Sequence, residues 1–271
     1  MKQLLAFILV LILFISQSSF AGEIVIKGST TVLPIVQAIA EAYMQERPEI
    51  KISISGGGSG NGIKALIDGT CHIANSSRFI KEKEVKMAVD KGSYPVPHKI
   101  ALDGIVPIVH PSNSIENLTS AQLRDIYTGK IKNWRELGGL NHSIVVVSRD
   151  TSSGTYEVWK EKVMNKARIT PRALLQASNG AVLQTVAYNK WAIGYIGIGY
   201  LNKQVKAIKV NGVIATKDTV RIGRFPISRP LFMFTNGWPE GVINSFINFV
   251  LSSAGQRVVE KIGYVGIYPV Q

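Results

Sequence analysis

The stretch EIVIKGSTTVLPIVQAIAEAY, residues 23–43, decides the fold. Its first five residues are mostly apolar and β-branched, which is typical of a buried strand. Four small polar residues follow at 28–31, and apolar residues then recur at helical spacing from Val32 to Tyr43. Pro34 falls in the first turn of that helix, where proline is tolerated. The stretch therefore predicts a strand, a polar turn and a helix in immediate succession.

The same unit recurs twice in the next fifty residues. A strand at 50–55 leads into the glycine-rich loop 56–62 and a helix that opens at Ile63. A short strand at 71–74 leads through Ser-Ser-Arg into a charged helix near 81–89. Repeated strand–loop–helix units predict an α/β fold with a mainly parallel sheet.

The rest of the chain continues the alternation of strands and helices. We expect the long strand 100–110 to be interrupted at Asp103-Gly104. Further strands are predicted at 144–147, 192–198 and 230–235, and helices at 120–127, from 156 onward, at 181–188 and, as a single final helix, at 239–261.

The first 21 residues have the layout of a secretory signal peptide. A short basic start precedes a dozen apolar residues, 4–15, and small residues stand at the −3 and −1 positions of a cut before Gly22. This run is too short to cross a bilayer, which takes roughly 20 apolar residues. No cysteine stands where a lipid anchor would attach, and the single Cys71 lies in an apolar context that predicts a buried, inert thiol. We therefore expect a soluble protein of the Gram-negative periplasm.

The formal net charge of +13 suits an anionic partner, which could be a nucleic acid, a membrane surface or a small anion. The four tryptophans are not interleaved with basic clusters, so stacking on nucleic acid is unsupported. The glycine-rich loop lacks the Gly-Lys-Ser/Thr of a P-loop, no Gly-x-Ser-x-Gly elbow occurs, and the four histidines are scattered. An enzyme acting on phosphate esters would need a nucleophile with its base or a metal site. We therefore expect neither enzymatic activity nor a metal or cofactor.

Four strand-to-helix loops carry the functional signal. Each supplies hydroxyls and free backbone N–H groups at a helix start, where the partial positive charge attracts anions. In open α/β sheets such loops meet beyond the carboxyl ends of the strands. The four loops are 28–31, 58–62, 75–78 and 151–155.

Arg149 stands between a buried-type strand and the last of these loops. Its planar guanidinium can bind two oxygens of a tetrahedral anion, and the neighbouring Asp150 could hold it in place. The alternative is an ordinary surface ion pair. Four donor loops and one arginine together favour a site for a small oxyanion.

Several motifs resemble the phosphate-binding receptor of the phosphate-specific ABC transporter, and the resemblance covers nearly the whole chain after residue 21. They are Gly28-Ser-Thr-Thr-Val-Leu-Pro34, Ser55-Gly-Gly-Gly-Ser-Gly-Asn-Gly62, Ala101-Leu-Asp-Gly-Ile105, Tyr127-Thr-Gly-Lys-Ile-Lys-Asn-Trp134, Arg149-Asp-Thr-Ser-Ser-Gly-Thr155, Ala192-Ile-Gly-Tyr-Ile-Gly197 and Phe225-Pro-Ile-Ser-Arg-Pro230.

The resemblance implies a two-lobed periplasmic-binding-protein fold of type II, with two crossovers and the anion in the cleft between the lobes. Lobe 1 would hold residues 22–102 and 227–271, and lobe 2 residues 103–226. The implied partners are inorganic phosphate and an inner-membrane ABC phosphate permease, with the receptor acting as a monomer. The phosphate ligands carried over by the resemblance are Thr30, Thr31 through its backbone N–H, Ser59, Ser77, Arg149, Ser153, Gly154 and Thr155.

Ser77 departs from the pattern of some family members, which have an aspartate there that accepts the proton of hydrogen phosphate. Serine keeps a hydroxyl but is not an obligate acceptor. Two candidates for the acceptor remain, Ser77 itself and Asp103 at an expected crossover. A receptor for another tetrahedral oxyanion, such as sulfate, therefore stays open as the alternative.

Overall fold

The computed structural model describes residues 22–269. The signal-peptide prediction for residues 1–21 lies outside the described residues. The strands are β1 Glu23–Gly28, β2 Lys51–Gly57, β3 Ile73–Ser76, β4 Pro95–Val109, β5 Asn117–Leu118, β6 Val145–Arg149, β7 Leu174–Gln176, β8 Ala192–Gly197, β9 Lys206–Ala207, β10 Lys209–Val210 and β11 Ser228–Asn236. The helices are α1 Leu33–Glu46, α2 Ser59–Ile67, α3 Glu82–Asp90, α4 Ser120–Thr128, α5 Gly154–Lys162, α6 Asn179–Ala187, α7 Lys217–Arg221, α8 Gly241–Leu251 and α9 Ser253–Lys261, with 3₁₀ turns at Trp134–Leu137 and Ile198–Tyr200.

The main sheet has the strand order β2-β1-β3-β11-β4-β8-β6-β7, with β9 on the side of β4. Strands β2, β1 and β3 are parallel to one another, and so are β8, β6 and β7. The α/β class is confirmed, but the expectation of a mainly parallel sheet is wrong, because β4 and β11 run antiparallel to their neighbours. These two strands join the halves of the sheet, which repeated strand–loop–helix units do not predict.

Strand β4 is continuous through Asp103 and Gly104, so the expected interruption there is wrong. Its first part pairs with β11 up to Gly104, and its last five residues pair with β8. A Cβ on Gly104 would lie 2.9 Å from a methyl group of Val220, so the glycine permits close packing rather than a turn. The extended backbone carries the chain directly from one half of the sheet to the other.

Two large apolar cores lie on the two halves of the sheet. One forms where α1, α8 and α9 pack on the β1 half, and a smaller cluster lies under α2 and α3. The other is built on β4, β6 and β8 with helices α4 to α6, and it includes Ile227 and Val265. The stacked rings of Trp159 and Tyr195, with centroids 4.2 Å apart, are buried in it. Each half therefore buries an apolar core of its own.

The predicted single helix at 239–261 is two helices, α8 and α9, that meet at Ser252. Ser252 has extended backbone, and its Oγ accepts a hydrogen bond from the N–H of Gly255. Serine competes for backbone groups in this way and so favours the N-cap position over a helix interior. The apolar periodicity continues across the break, which is why the pattern alone predicts one helix.

Cys71 is buried, as the sequence predicts, and burial raises the pKa of its thiol to about 11. The thiol is therefore protonated at neutral pH. Within residues 22–269, no helix combines the length and the apolar character that a membrane crossing requires.

Candidate functional site

The starts of three helices, α1, α2 and α5, converge between the two halves of the sheet. Strands β1 and β6 each end in a short polar loop that leads into α1 or α5, and Gly58 alone separates β2 from α2. A Cβ on Gly154 would collide with Ser59 Oγ and lie 2.6 Å from Ser77 Oγ. The hydroxyls of Thr31 and Thr155 lie 2.9 Å apart. Loops far apart in sequence thus form one cluster.

All eight phosphate ligands that the family resemblance implies belong to this cluster or border it, and all are buried. They are Thr30, Thr31, Ser59, Ser77, Arg149, Ser153, Gly154 and Thr155.

The loop before α5 places backbone donors at the start of that helix. Ser153 is the N-cap of the helix, and its Oγ accepts from the N–H of Tyr156. Gly154 and Thr155 are the first helical residues, where backbone N–H groups have no acceptor within the helix. Because Gly154 has no side chain, Ser59 and Ser77 can approach this backbone closely. The loop is therefore built for an anion held against the helix start.

Arg149 is the buried cation of the site, with 1% of its surface exposed. Its Nε donates to the carbonyl of Gln176 and its Nη2 to the carbonyl of Ala177, each at 3.0 Å. Asp150 is a looser neighbour, 3.9 Å from Nη2 and partly exposed. Nη1 is buried and has no partner among the described residues. An arginine held by two carbonyls with one nitrogen unsatisfied indicates a site for an anionic acceptor.

Burial lowers the pKa of Arg149, and the nearby Arg229 guanidinium lowers it further, while Asp150 opposes both effects. An arginine remains charged even so. The site therefore concentrates positive charge out of contact with water, which favours an anion.

Arg78 follows Ser77 directly but is neutralised within its own half of the sheet. Its guanidinium forms two hydrogen bonds to the carboxylate of Glu84, at 2.6 and 2.8 Å. Burial alone would raise the pKa of Glu84. The hydrogen bonds from Arg78 and from the Lys81 N–H, together with the positive charges of both residues, outweigh burial and hold the pKa below its ordinary value. Arg78 therefore adds little net charge to the site.

Two residues of the cluster, Arg229 and Asn179, were not predicted as site residues. Arg229 Nη1 donates to the carbonyl of Ser77 at 3.0 Å, and Nη2 donates to Thr155 Oγ1 at 3.0 Å. Asn179 Nδ2 donates to the hydroxyls of Thr30 and Thr31. A signal for Asn179 exists in the sequence, because it opens helix α6 shortly after a strand, as the loops at 28–31, 58–62 and 151–155 lead from a strand into a helix.

Asp103 is fully buried and its carboxylate is already engaged. Arg229 lies opposite it in the β4–β11 register and donates two hydrogen bonds to Oδ2, at 2.9 and 2.8 Å. Its Oδ1 accepts from the N–H of Ile198. Burial raises the pKa of Asp103, and the Arg229 guanidinium opposes that effect. The carboxylate thus fixes Arg229 at the junction of the two halves of the sheet.

The expected use of the Thr31 backbone N–H does not fit this arrangement, because that N–H donates to Ser29 Oγ at 3.1 Å. Asn179, Arg229 and Thr155 surround the Thr31 hydroxyl instead.

Direct contacts outside the cluster also join the two halves. The N–H of Gly60 donates to the carbonyl of Ser152 at 2.9 Å, and Ser152 Oγ donates to the carbonyl of Gly57. An ion pair of 2.8 Å links Lys81 to Glu157. The structure is therefore a closed arrangement, in which both halves enclose the polar cluster.

Helix starts, hydroxyls and a partly satisfied buried arginine can bind a small oxyanion. In the described part of the chain, no group of three or more His, Cys, Asp or Glu side chains is placed to hold a metal ion. Fold and site together define a class: an α/β binding protein with two lobes that enclose a small anionic ligand.

Comparison with known proteins identifies the family within that class. Residues 16–254 match the model of the PBP superfamily domain. The phosphate-binding protein PstS of Bacillus subtilis is 32% identical over 249 residues, which cover 91% of this chain and 81% of that protein. A Clostridium perfringens structure, described as a phosphate ABC transporter substrate-binding protein with bound phosphate, has a TM-score of 0.86 at 37% identity and covers 91% of this chain and 100% of its own. A Vibrio cholerae structure, described as an ABC-type phosphate transport receptor, has a TM-score of 0.74 at 32% identity with coverage of 91% and 100%. The chain belongs to the PBP superfamily and, within it, to the family of the PstS phosphate-binding proteins.

Proposed function

We propose that this protein is a receptor that binds inorganic phosphate between its two lobes and delivers it to an ABC importer. The relatives named above are described as phosphate-binding or phosphate transport proteins, and all three have more than 30% identity over nine-tenths of this chain. Phosphate is the bound ligand in the Clostridium perfringens structure. The cluster of donors described above suits the same ligand.

The unsatisfied Nη1 of Arg149 is the observation that carries the proposal. A buried donor without a partner costs on the order of 1–3 kcal/mol, and more when it is charged. A phosphate oxygen at Nη1 would remove that cost and would neutralise a buried cation. The Gly154 and Thr155 N–H groups and the Ser59 and Thr30 hydroxyls lie on the surrounding loops and can donate to the remaining oxygens.

The ligand set of the proposal comprises Thr30, Ser59, Ser77, Arg149, Ser153, Gly154 and Thr155. Thr31, whose backbone N–H donates to Ser29 Oγ, contributes through the contact of its hydroxyl with Thr155. We place lobe 1 at residues 22–102 and 227–271 and lobe 2 at residues 103–226. The two apolar cores and the junction strands β4 and β11 support this division, except that Ile227 and Val265 pack into the core of lobe 2. Since only two extended segments join the lobes, a hinge motion can open the cleft for loading and release.

The remaining parts of the proposal concern partners and location. The receptor would work as a monomer outside the cytoplasm, after export and cleavage of a signal peptide at residue 21. It would deliver phosphate to an inner-membrane ABC phosphate permease. Since the relatives are substrate-binding proteins of transporters, we infer binding without catalysis.

Selectivity for phosphate over sulfate requires an acceptor for the proton that phosphate carries and sulfate lacks. The engagement of Asp103 by Arg229 and Ile198 favours Ser77 as that acceptor. Ser77 Oγ lies 3.3 Å from Ser59 Oγ, and no other hydrogen bond of this hydroxyl occurs in the described structure. A hydroxyl can accept or donate, so we expect a preference for phosphate rather than absolute exclusion of sulfate.

Calorimetry with phosphate-stripped protein tests the proposal. We expect saturable binding of one phosphate per chain and much weaker binding of sulfate at neutral pH. Equal affinity for the two anions would make the protein a general oxyanion receptor, and no phosphate binding would refute the proposed function.

A further inference from the structure

Asn179 is fully buried, and its amide can adopt only one orientation. Its Oδ1 accepts from the N–H of Gly197 at 3.2 Å, and a backbone N–H can only donate. Nδ2 must therefore face Thr30 and Thr31, and it donates to the hydroxyl oxygens of both, at 3.2 and 3.0 Å. Asn179 thus imposes a direction on the hydroxyl hydrogen bonds around it.

The Thr31 hydroxyl receives two donors. Asn179 Nδ2 donates to Thr31 Oγ1, and so does Arg229 Nη2 at 3.3 Å. A hydroxyl oxygen has two lone pairs and one hydrogen. Because both lone pairs of Thr31 face donors, we assign Thr31 as the donor in its 2.9 Å contact with Thr155.

The same count then applies to Thr155. Its Oγ1 accepts from Thr31 and, at 3.0 Å, from Arg229 Nη2. Arg229 Nη2 directs one N–H to Asp103 and shares the other between the two threonines. Both lone pairs of Thr155 are thus occupied, and only its hydrogen remains to interact with a ligand.

We propose that Asn179 and Arg229 are positioning residues that make the Thr155 hydroxyl an obligate donor to the bound anion, with the Thr31 hydroxyl as a relay between them. This inference rests on the proposed function, because it takes phosphate as the ligand. Thr155 can therefore donate to a ligand oxygen but has no lone pair left to accept the proton of the ligand.

The hydroxyls of Ser59 and Ser77, which lie against Gly154, are not constrained in this way. Ser59 Oγ accepts from the Ser77 N–H at 3.0 Å, and the bond between the two hydroxyls can run in either direction. The proton of the ligand can therefore be accepted by a serine hydroxyl and cannot be accepted by Thr155. The network thus orients hydrogen phosphate within the cleft.

Two isosteric substitutions of the neighbouring threonines test the inference. T155V removes the obligate donor, so we expect its phosphate affinity to fall about tenfold to a hundredfold, as for a hydrogen bond to a charged group. T31V removes only the relay and leaves the Thr155 hydrogen available, so we expect a loss at least fivefold smaller. T155S restores the hydroxyl and should recover most of the affinity.

A third variant tests Asn179 itself. In N179L the Thr31 oxygen regains a free lone pair, so the Thr155 hydroxyl can turn toward Thr31 and away from the anion. We expect an affinity loss of about tenfold or more. Adding T31V removes that competing acceptor, so the double variant N179L/T31V should bind phosphate more tightly than N179L alone. A purely structural role of Asn179 predicts that the double variant binds no better.

Calorimetry with inorganic phosphate measures each affinity, and thermal unfolding without phosphate checks folding. If N179L does not fold, the comparison between the affinity losses of T155V and T31V decides. Wild-type protein that does not bind phosphate would remove the proposed function and this inference with it. If wild-type protein binds phosphate but T31V loses as much affinity as T155V, only this inference is overturned.

Discussion

Replacing Arg149 tests the central feature of the site. The side chain is buried, Nε and Nη2 are occupied by two backbone carbonyls, and Nη1 is unsatisfied. In the proposed complex Nη1 donates to a phosphate oxygen within a cluster closed to water. Arg149→Ala removes both this hydrogen bond and the buried positive charge.

The expected loss of phosphate affinity follows from the buried environment of Arg149 and its proposed phosphate partner. Truncating one partner of a buried, hydrogen-bonded charge pair costs about 2–5 kcal/mol, and about 1.4 kcal/mol corresponds to a factor of ten in affinity. Because only one guanidinium nitrogen is free for the anion, we expect the lower part of that range, a loss of about 30-fold or more. Arg149→Lys keeps the charge, but a single ammonium cannot replace the planar fork that holds two carbonyls and a ligand at once. We expect the phosphate affinity of Arg149→Lys to lie between those of wild type and Arg149→Ala.

The assay is calorimetric titration of phosphate into stripped protein. Thermal unfolding with and without phosphate adds a second readout, since a ligand at about 1,000 times its Kd stabilises by about 4 kcal/mol. Arg257→Ala is a matched control, because Arg257 is exposed on α9 and its loss changes the net charge equally. A folded Arg149→Ala variant with an affinity within about threefold of wild type, on the scale of RT at 25 °C, would refute the assignment.

Three further predictions concern selectivity, pH dependence and closure. Ser77→Asp supplies an obligate proton acceptor, so the preference for phosphate over sulfate should rise about tenfold or more in a competition assay, while an unchanged ratio would exclude Ser77 as the acceptor. Glu84→Gln breaks the buried pair with Arg78 and should lower the free energy of unfolding at pH 7 by about 1–3 kcal/mol. Because the pKa of Glu84 is lowered in the folded state, the stabilisation from the pair is present above the ordinary pKa of 4.5 and is lost as pH falls through the lowered value. The free energies of unfolding of wild type and Glu84→Gln, measured by denaturant titration, should therefore converge in acid. A difference that stays constant with pH would contradict the role of the pair. Small-angle X-ray scattering should give a smaller radius of gyration with phosphate than without it, and identical profiles would argue against an open form without phosphate.

Local pattern in the sequence determined much of the fold. The alternation of apolar strands, polar turns and amphipathic helices predicted the α/β class and most elements to within a few residues, because side-chain periodicity reflects which face each element buries. The polar turns at 28–31, 58–62 and 151–155 also marked where helices begin, since hydroxyls and glycines at such positions satisfy backbone groups locally. The residues of the loops could thus be named in advance as candidate donors.

Only the tertiary structure decided how those donors are connected. Asp103 and Arg229 are 126 residues apart, and Thr31 and Thr155 are 124 apart, yet each pair is hydrogen-bonded. No local pattern distinguishes Arg149, which keeps one nitrogen unsatisfied, from an arginine fully engaged by a neighbouring carboxylate. The physical reason is that the direction and satisfaction of a hydrogen bond depend on every group packed around it, and here those groups come from strands that meet only when the two halves of the sheet are joined through β4 and β11.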